Sequence, residues 1–179
     1  WHVQVVDDPI PNFEPEHTSI ALDESGYPHI SYHNYNLYYA HQDAAGWHIE
    51  TVDVSRVGRY SSLALDESGY AHISYFNDGD GDLEYAYQDA SGWHYVTVDS
   101  VGSVGWYTSL ALDSSGYAHI SYSDDTNDAL KHAYQGASGW HVQVVDSEGY
   151  TGEATSLALD ESGYAHISYR GNGGVLNYA

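Results

Sequence analysis

Ser62-Leu63-Ala64-Leu65-Asp66-Glu67-Ser68-Gly69-Tyr70-Ala71-His72-Ile73-Ser74-Tyr75 is the stretch that decides the fold. It alternates up to Asp66, breaks at Glu67-Ser68-Gly69 and alternates again from Tyr70. A period of two marks a strand with one buried face. A three-residue loop with Gly at its left-handed position joins two such strands as a hairpin. That register sets Asp66 opposite Tyr70, Ala64 opposite His72 and Ser62 opposite Ser74. Leu63 and Leu65 then share an apolar face with Ala71, Ile73 and Tyr75. A slip of one residue would mix the apolar and polar sets, so the pattern itself selects the register.

The phrase returns. Ser19–Tyr32, Ser109–Tyr122 and Ser156–Tyr169 are near copies, and the glycines at 26, 69, 116 and 163 lie 43, 47 and 47 residues apart. A second phrase, Gly-Trp-His, falls at Gly46-Trp47-His48, Gly92-Trp93-His94 and Gly139-Trp140-His141, and Trp1-His2 opens the chain. Between the phrases, Leu83–Gln88 runs into Asp89-Ala90-Ser91-Gly92 and returns as Trp93–Asp99, a second hairpin. Each repeat is therefore expected to be a four-stranded antiparallel meander, here called A to D, with almost no helix. A period in the forties built from short strands marks a propeller or a solenoid. The last repeat carries strands A to C only, and Trp1–Asp7 has the sequence of the missing strand D.

Repeat length, strands per repeat and the offset start together resemble a four-bladed β-propeller, an all-β fold, over all 179 residues. The expected blades are 18–53, 61–99, 108–146, and 155–179 completed by 1–7. The A–B hairpin also looks like the Asp-box of sialidase-like propellers. There, however, one residue separates Asp from Gly, whereas Asp66 and Gly69 are separated by two, so no sialidase residue is carried over.

Composition narrows the function classes. The chain has 26 acidic residues against 4 basic ones, a net charge of -22. Such a surface repels nucleic acid and anionic membranes, and no apolar run reaches the length of a membrane helix. With no Cys there is no disulfide framework. With no Met, the chain reads as a mature or trimmed segment of a longer product.

Three groups of residues could carry chemistry. Asp66, His72 and Ser74 share a face, but the set recurs as Asp23/His29/Ser31, Asp113/His119/Ser121 and Asp160/His166/Ser168. An active site is needed once, so four copies point to a structural network, and no residue is assigned as catalytic. Asp78, Asp80 and Asp82, alternating with glycines, form a loop with the oxygen ligands calcium prefers; no cofactor is required, and calcium is the possible one. Finally, the A–B and C–D turns repeat, while the B–C and D–A connections vary. The variable rim gathers Phe13, Arg56, Arg59, Tyr60, Trp106, Tyr107, Tyr150 and Arg170, the residue types that dominate binding surfaces. The chain thus reads as a non-enzymatic extracellular or cell-surface module. Its main expected role is structural or self-assembling, as in a filament or surface layer, with itself or another surface protein as partner. The alternative is a lectin-like propeller that binds glycans, and a hydrolase comes third.

Overall fold

The structure is a computed structural model that describes residues 1–7, 15–54 and 56–179. Phe13 lies outside the described residues. Among the described residues fifteen strands form four antiparallel sheets. Blade 1 is β1 (Glu16–Leu22), β2 (Pro28–Asn34), β3 (Asn36–Asp43) and β4 (Gly46–Asp53). Blade 2 is β5 (Val57–Leu65), β6 (Ala71–Asn77), β7 (Asp82–Asp89) and β8 (Gly92–Asp99). Blade 3 is β9 (Val104–Leu112), β10 (Ala118–Asp124), β11 (Ala129–Gly136) and β12 (Gly139–Asp146). Blade 4 is β13 (Glu153–Leu159), β14 (Ala165–Arg170) and β15 (Leu176–Tyr178), with a single 3-10 turn, Asn172–Gly174, before its last strand. In every blade the strands pair in chain order, as a meander. The protein is an all-β propeller of four blades.

The decisive hairpin has the register its pattern dictates: Ser62 faces Ser74, Leu63 faces Ile73 and Ala64 faces His72. Its turn is closed by Asp66, whose Oδ1 accepts from the Ser68 and Tyr70 amides, both at 2.8 Å. Asp23, Asp113 and Asp160 do the same in their turns. Short Asp side chains hold backbone turns in this way because they reach amides two residues on.

Blades stack on one another through a repeated joint. Leu37, Tyr39 and Val52 of blade 1 pack against Leu63, Ile73 and Tyr75 of blade 2. Leu83 and Tyr85 meet Leu110, Ile120 and Tyr122 at the next joint. Leu130 meets Leu157, Ile167 and Tyr169 at the third. Each joint carries the same polar clips. Tyr75 donates to Asp53, Tyr122 to Asp99 and Tyr169 to Asp146, at 2.6 to 2.8 Å. The Leu63, Leu110 and Leu157 amides donate across the joint to Ser19, Ser62 and Ser109, each at 3.0 Å. In dry surroundings such satisfied polar pairs fix one relative position of the sheets.

The fourth strand expected from Trp1–Asp7 is not part of blade 4. That sheet has three strands, and Trp1–Asp7 forms none. Instead Tyr32 donates to Asp7 at 2.8 Å, so the opening segment lies on blade 1 where a preceding strand D would lie. β1 packs on β5, β5 on β9 and β9 on β13, but no comparable packing joins β13 to β1. Asp7 makes the same clip to the following blade that Asp53, Asp99 and Asp146 make from their strands D, but among the described residues no ladder ties Trp1–Asp7 to β15.

Candidate functional site

The first strand of every blade is bulged near its start, between Glu16 and Ser19, Arg59 and Ser62, Trp106 and Ser109, and Glu153 and Ser156. Inside each bulge one residue has a left-handed backbone: His17 (φ 50°), Tyr60 (φ 55°), Tyr107 (φ 55°) and Ala154 (φ 50°). None is glycine, so each holds strain of about 1–3 kcal/mol. The joint maintains it. Ser61 Oγ donates to the His17 carbonyl at 2.9 Å, Thr108 Oγ1 to that of Tyr60 at 2.7 Å and Thr155 Oγ1 to that of Tyr107 at 2.9 Å. The four strained residues and the four hydroxyl residues that follow them, Thr18, Ser61, Thr108 and Thr155, line one cleft of about 230 Å³.

Three of the eight lining residues, His17, Tyr60 and Tyr107, carry rings, and further rings pack beside them. Tyr60 lies 4.3 Å from His17 and 4.6 Å from Tyr107, centroid to centroid. Trp106 lies 5.3 Å from Tyr60 and 4.7 Å from Phe76. His33 is buried, its Nδ1 has no partner, and its ring stands 6.4 Å from His17. Arg59 reaches Asp78 at 3.1 Å beside them. Burial lowers the pKa of His17 and His33, against the raising effect of Glu16 and Asp78, so both are neutral near pH 7. Burial and the Tyr107 contact push Tyr60 up to about 12. The site is thus an array of neutral rings and hydroxyls, with its charges paired at the margin.

The structure brings together Arg59, Tyr60, Trp106 and Tyr107 from the residues expected on the variable rim. It does not bring Arg56, Tyr150 or Arg170 to the cleft lining. Arg56 is exposed, Tyr150 donates to Asp125 at 3.1 Å, and Arg170 is paired with Glu153. Of the calcium candidates, Asp78 is engaged by Arg59. The loop is organised by Asn77, whose Oδ1 accepts from the Gly79 amide at 2.9 Å and the Asp80 amide at 3.3 Å. Among the described residues no group of three or more His, Cys, Asp or Glu is arranged to hold a metal. His17, His33, Phe76 and the hydroxyl row were missed from sequence. The available signal was the phrase Gly58-Arg59-Tyr60, repeated as Gly105-Trp106-Tyr107 and Gly152-Glu153-Ala154 within connections taken as variable.

The fourfold Asp-His-Ser sets do not form triads. Ser74 donates to Thr108 across the joint at 2.8 Å, while His72 Nδ1 meets the Tyr85 hydroxyl. The Ser is therefore turned away from its His, and a nucleophile needs that contact. The other ring nitrogen, Nε2, lies 3.7 Å from Asp66 Oδ2.

No family model matches the chain. No curated protein matches it either. Solved structures do match in shape. AofleA from Arthrobotrys oligospora superposes with a TM-score of 0.68 at 11% identity, over 95% of this chain and 53% of that one. The Hadza microbial sialidase Hz136 gives 0.63 at 14%, over 92% and 43%. The catalytic domain of a Coprinopsis cinerea GH62 α-L-arabinofuranosidase gives 0.58 at 16%, over 92% and 62%. The chain thus spans about half the length of the structures it matches, and the likeness is one of fold. It corrects one expectation. The architecture is shared with glycoside hydrolases, so the reading as a non-enzymatic module does not stand.

Proposed function

We propose that the protein binds carbohydrate in the cleft bounded by His17, Tyr60, Tyr107 and Ala154. The observation that carries this reading is the row of rings at the cleft, His17–Tyr60–Tyr107 with Trp106 beside it, set above a row of hydroxyls. Sugar rings have an apolar face of C–H groups that stacks on aromatic rings, and an edge of hydroxyls that hydrogen-bonds to Ser and Thr. The ligand sites of proteins are commonly concave, ring-lined and equipped with a few polar groups. The folds that superpose include a sialidase and an arabinofuranosidase, and this supports a glycan over a purely structural role. A hydrolytic variant of the same reading would need paired carboxyls at the cleft; Glu16 lies 3.7 Å from His17 Nε2, whereas Glu153 is tied to Arg170.

The test is a panel of soluble oligosaccharides titrated calorimetrically into the parent chain and into Tyr107→Ala. Blade 4 already holds Ala154 at this position with the same backbone, so the variant keeps the fold. Loss of about tenfold or more in affinity, at an unchanged melting temperature, is expected; tenfold is about 1.4 kcal/mol. Equal affinity in the two proteins would sink the cleft as the binding site. Reducing sugar released by the parent and lost in Glu16→Gln would convert the reading from binding to hydrolysis.

A further inference from the structure

The joint between blades 1 and 2 and the joint between blades 2 and 3 differ at one telling position. Glu50 faces Tyr39 in the β3–β4 ladder, whereas Val96 faces Tyr85 in the β7–β8 ladder. Glu50 reaches across its joint. Its Oε2 accepts from Trp93 Nε1 of blade 2 at 2.9 Å and from Gln88 Nε2 at 3.4 Å. Trp93 stands edge-on to Tyr39, with ring centroids 5.5 Å apart. The first joint therefore holds a carboxylate between an indole donor and a carboxamide donor.

The second joint repeats the donors without the acceptor. Trp140 stands edge-on to Tyr85 at 5.2 Å, and Gln135 faces Trp140 in its ladder as Gln88 faces Trp93. Gln135 Oε1 accepts from the Ala118 amide at 3.0 Å, as Gln88 Oε1 does from the Ala71 amide at 3.5 Å. Holding the oxygen orients the carboxamide and leaves its NH2 group as the remaining donor. Val96 offers no oxygen, and among the described residues neither Gln135 Nε2 nor Trp140 Nε1 has an acceptor. A hollow of about 290 Å³ opens at this joint, and its lining includes His72, Tyr85, Tyr87, Tyr117 and Gln135. His72 is 8% exposed; its Nδ1 meets the Tyr85 hydroxyl, and its Nε2 has no hydrogen-bond partner. With the hydroxyl donating to Nδ1, the neutral ring carries its proton on Nε2.

We propose that this pocket between blades 2 and 3 binds a small organic carboxylate, whose oxygen takes the place that Glu50 Oε2 holds at the preceding joint. The ligand class follows from the internal comparison. A carboxylate is what the same Trp and Gln pair already receives at the first joint, and an ionised acceptor makes the stronger hydrogen bonds. The rings in the lining suit an acid with a flat, apolar body. The net charge of -22 repels free anions at long range, and salt screens that repulsion beyond about 8–10 Å. Binding should therefore persist when background salt is raised. The site is separate from the central cleft and stands independently of what the cleft binds.

The experiment is NMR of the nitrogen-labelled 179-residue chain titrated with sodium benzoate. Sodium chloride at equal ionic strength and benzyl alcohol are the controls. The Trp140 indole N–H and the Gln135 carboxamide should shift saturably with benzoate and with neither control. Val96→Glu should show the Trp140 signal already displaced and lose the response, at an unchanged or raised melting temperature. Glu50→Val tests the same rule at the other joint, where the Trp93 indole should gain a saturable response that the parent lacks. A Trp140 signal that stays still, or that follows chloride or benzyl alcohol equally, overturns the proposal. So does a Val96→Glu protein that responds like the parent, or a folded Glu50→Val protein whose Trp93 stays silent.

Discussion

The joint between blades 2 and 3 and the two open ends of the arc are made of nearly the same sequence and live in different environments. At the joint, Leu110 is 7% exposed and Tyr85 is 1% exposed; at the ends, Ile20 is 65% and Tyr178 is 70% exposed. Neither end differs in residue type enough to account for this. Burial here belongs to the neighbour a blade has, and the repeat encodes a blade able to use two neighbours. A repeat protein of this kind distributes its stability over its joints, so the interior and the ends should respond very differently to the same substitution.

The largest effect should come from Lys131. Its ammonium lies 3.0 Å from Asp99 of blade 2 and 2.7 Å from Asp124, and Tyr122 shares Asp99. Burial alone would raise the Asp124 carboxyl, but Lys131 and Asn127 outweigh it and hold the group below its usual range. Lys131→Ala leaves two buried carboxylates without their cation, which typically costs about 3–5 kcal/mol. Urea unfolding measures it, and a change below 1 kcal/mol, on the order of surface substitutions, would mean that water already serves these carboxylates.

The comparison itself is tested by paired truncations. Leu110→Ala empties a filled joint and should cost about 2–5 kcal/mol. Ile20→Ala removes an exposed side chain from the monomer and should stay within about 0.5 kcal/mol at low protein concentration. Equal losses would show that the blade 1 face is covered in solution. They would then place the two regions in one class.

The smallest effect is confined to acid. His132 stands in blade 3 where blades 1 and 2 have Tyr39 and Tyr85, and burial followed by His119 lowers its pKa to about 4. The unfolded chain takes up this proton near pH 6.5 and the folded chain does not. His132 therefore costs nothing at neutral pH and destabilises the fold progressively as pH falls from 6.5 towards 4. His132→Tyr should relieve that loss, on the order of 2–3 kcal/mol at pH 4 relative to pH 7. Acid loss from paired carboxylates such as Asp124 is common to both proteins and cancels in the difference. Parallel stability curves for the two proteins between pH 7 and pH 4 would contradict the assignment.

Much of the fold was legible because it repeats. The alternation around Ser62–Tyr75 carried the strand register, and the Asp-x-x-Gly turns carried the hairpins. The site was legible only as a rim. Arg59, Tyr60, Trp106 and Tyr107 were visible as types, but the bulge that turns Tyr60 and Tyr107 to the cleft is a backbone event without a side-chain signature. Its marker is Gly105, where φ is +103° and an added Cβ would stand 2.8 Å from the Leu83 backbone, so strand β9 can approach blade 2 only through a glycine. Gly69 is the contrast, a turn glycine with φ +81° and open space around it. Lys131 was passed over because a single Lys in a strand carries no pattern. Trp1–Asp7 was assigned to blade 4 as its strand D; it keeps the clip such a strand makes to the following blade, but among the described residues it forms no strand beside β15.

The sameness of the three joints also bears on how such a chain changes over generations. Tyr75 and Tyr122 answer to Asp53 and Asp99 by identical rules, and Ser31 and Ser74 answer to Ser61 and Thr108. Excising the 47 residues 70–116 would bring Asp53 to Tyr122 and leave Ser31 on Ser61, without altering the chemistry of a single interlocking pair. Duplicating them would be equally neutral for the chemistry of the seams. Recombination between copies can therefore lengthen or shorten the arc by whole blades, and the number of blades becomes a heritable variable separate from the quality of each one.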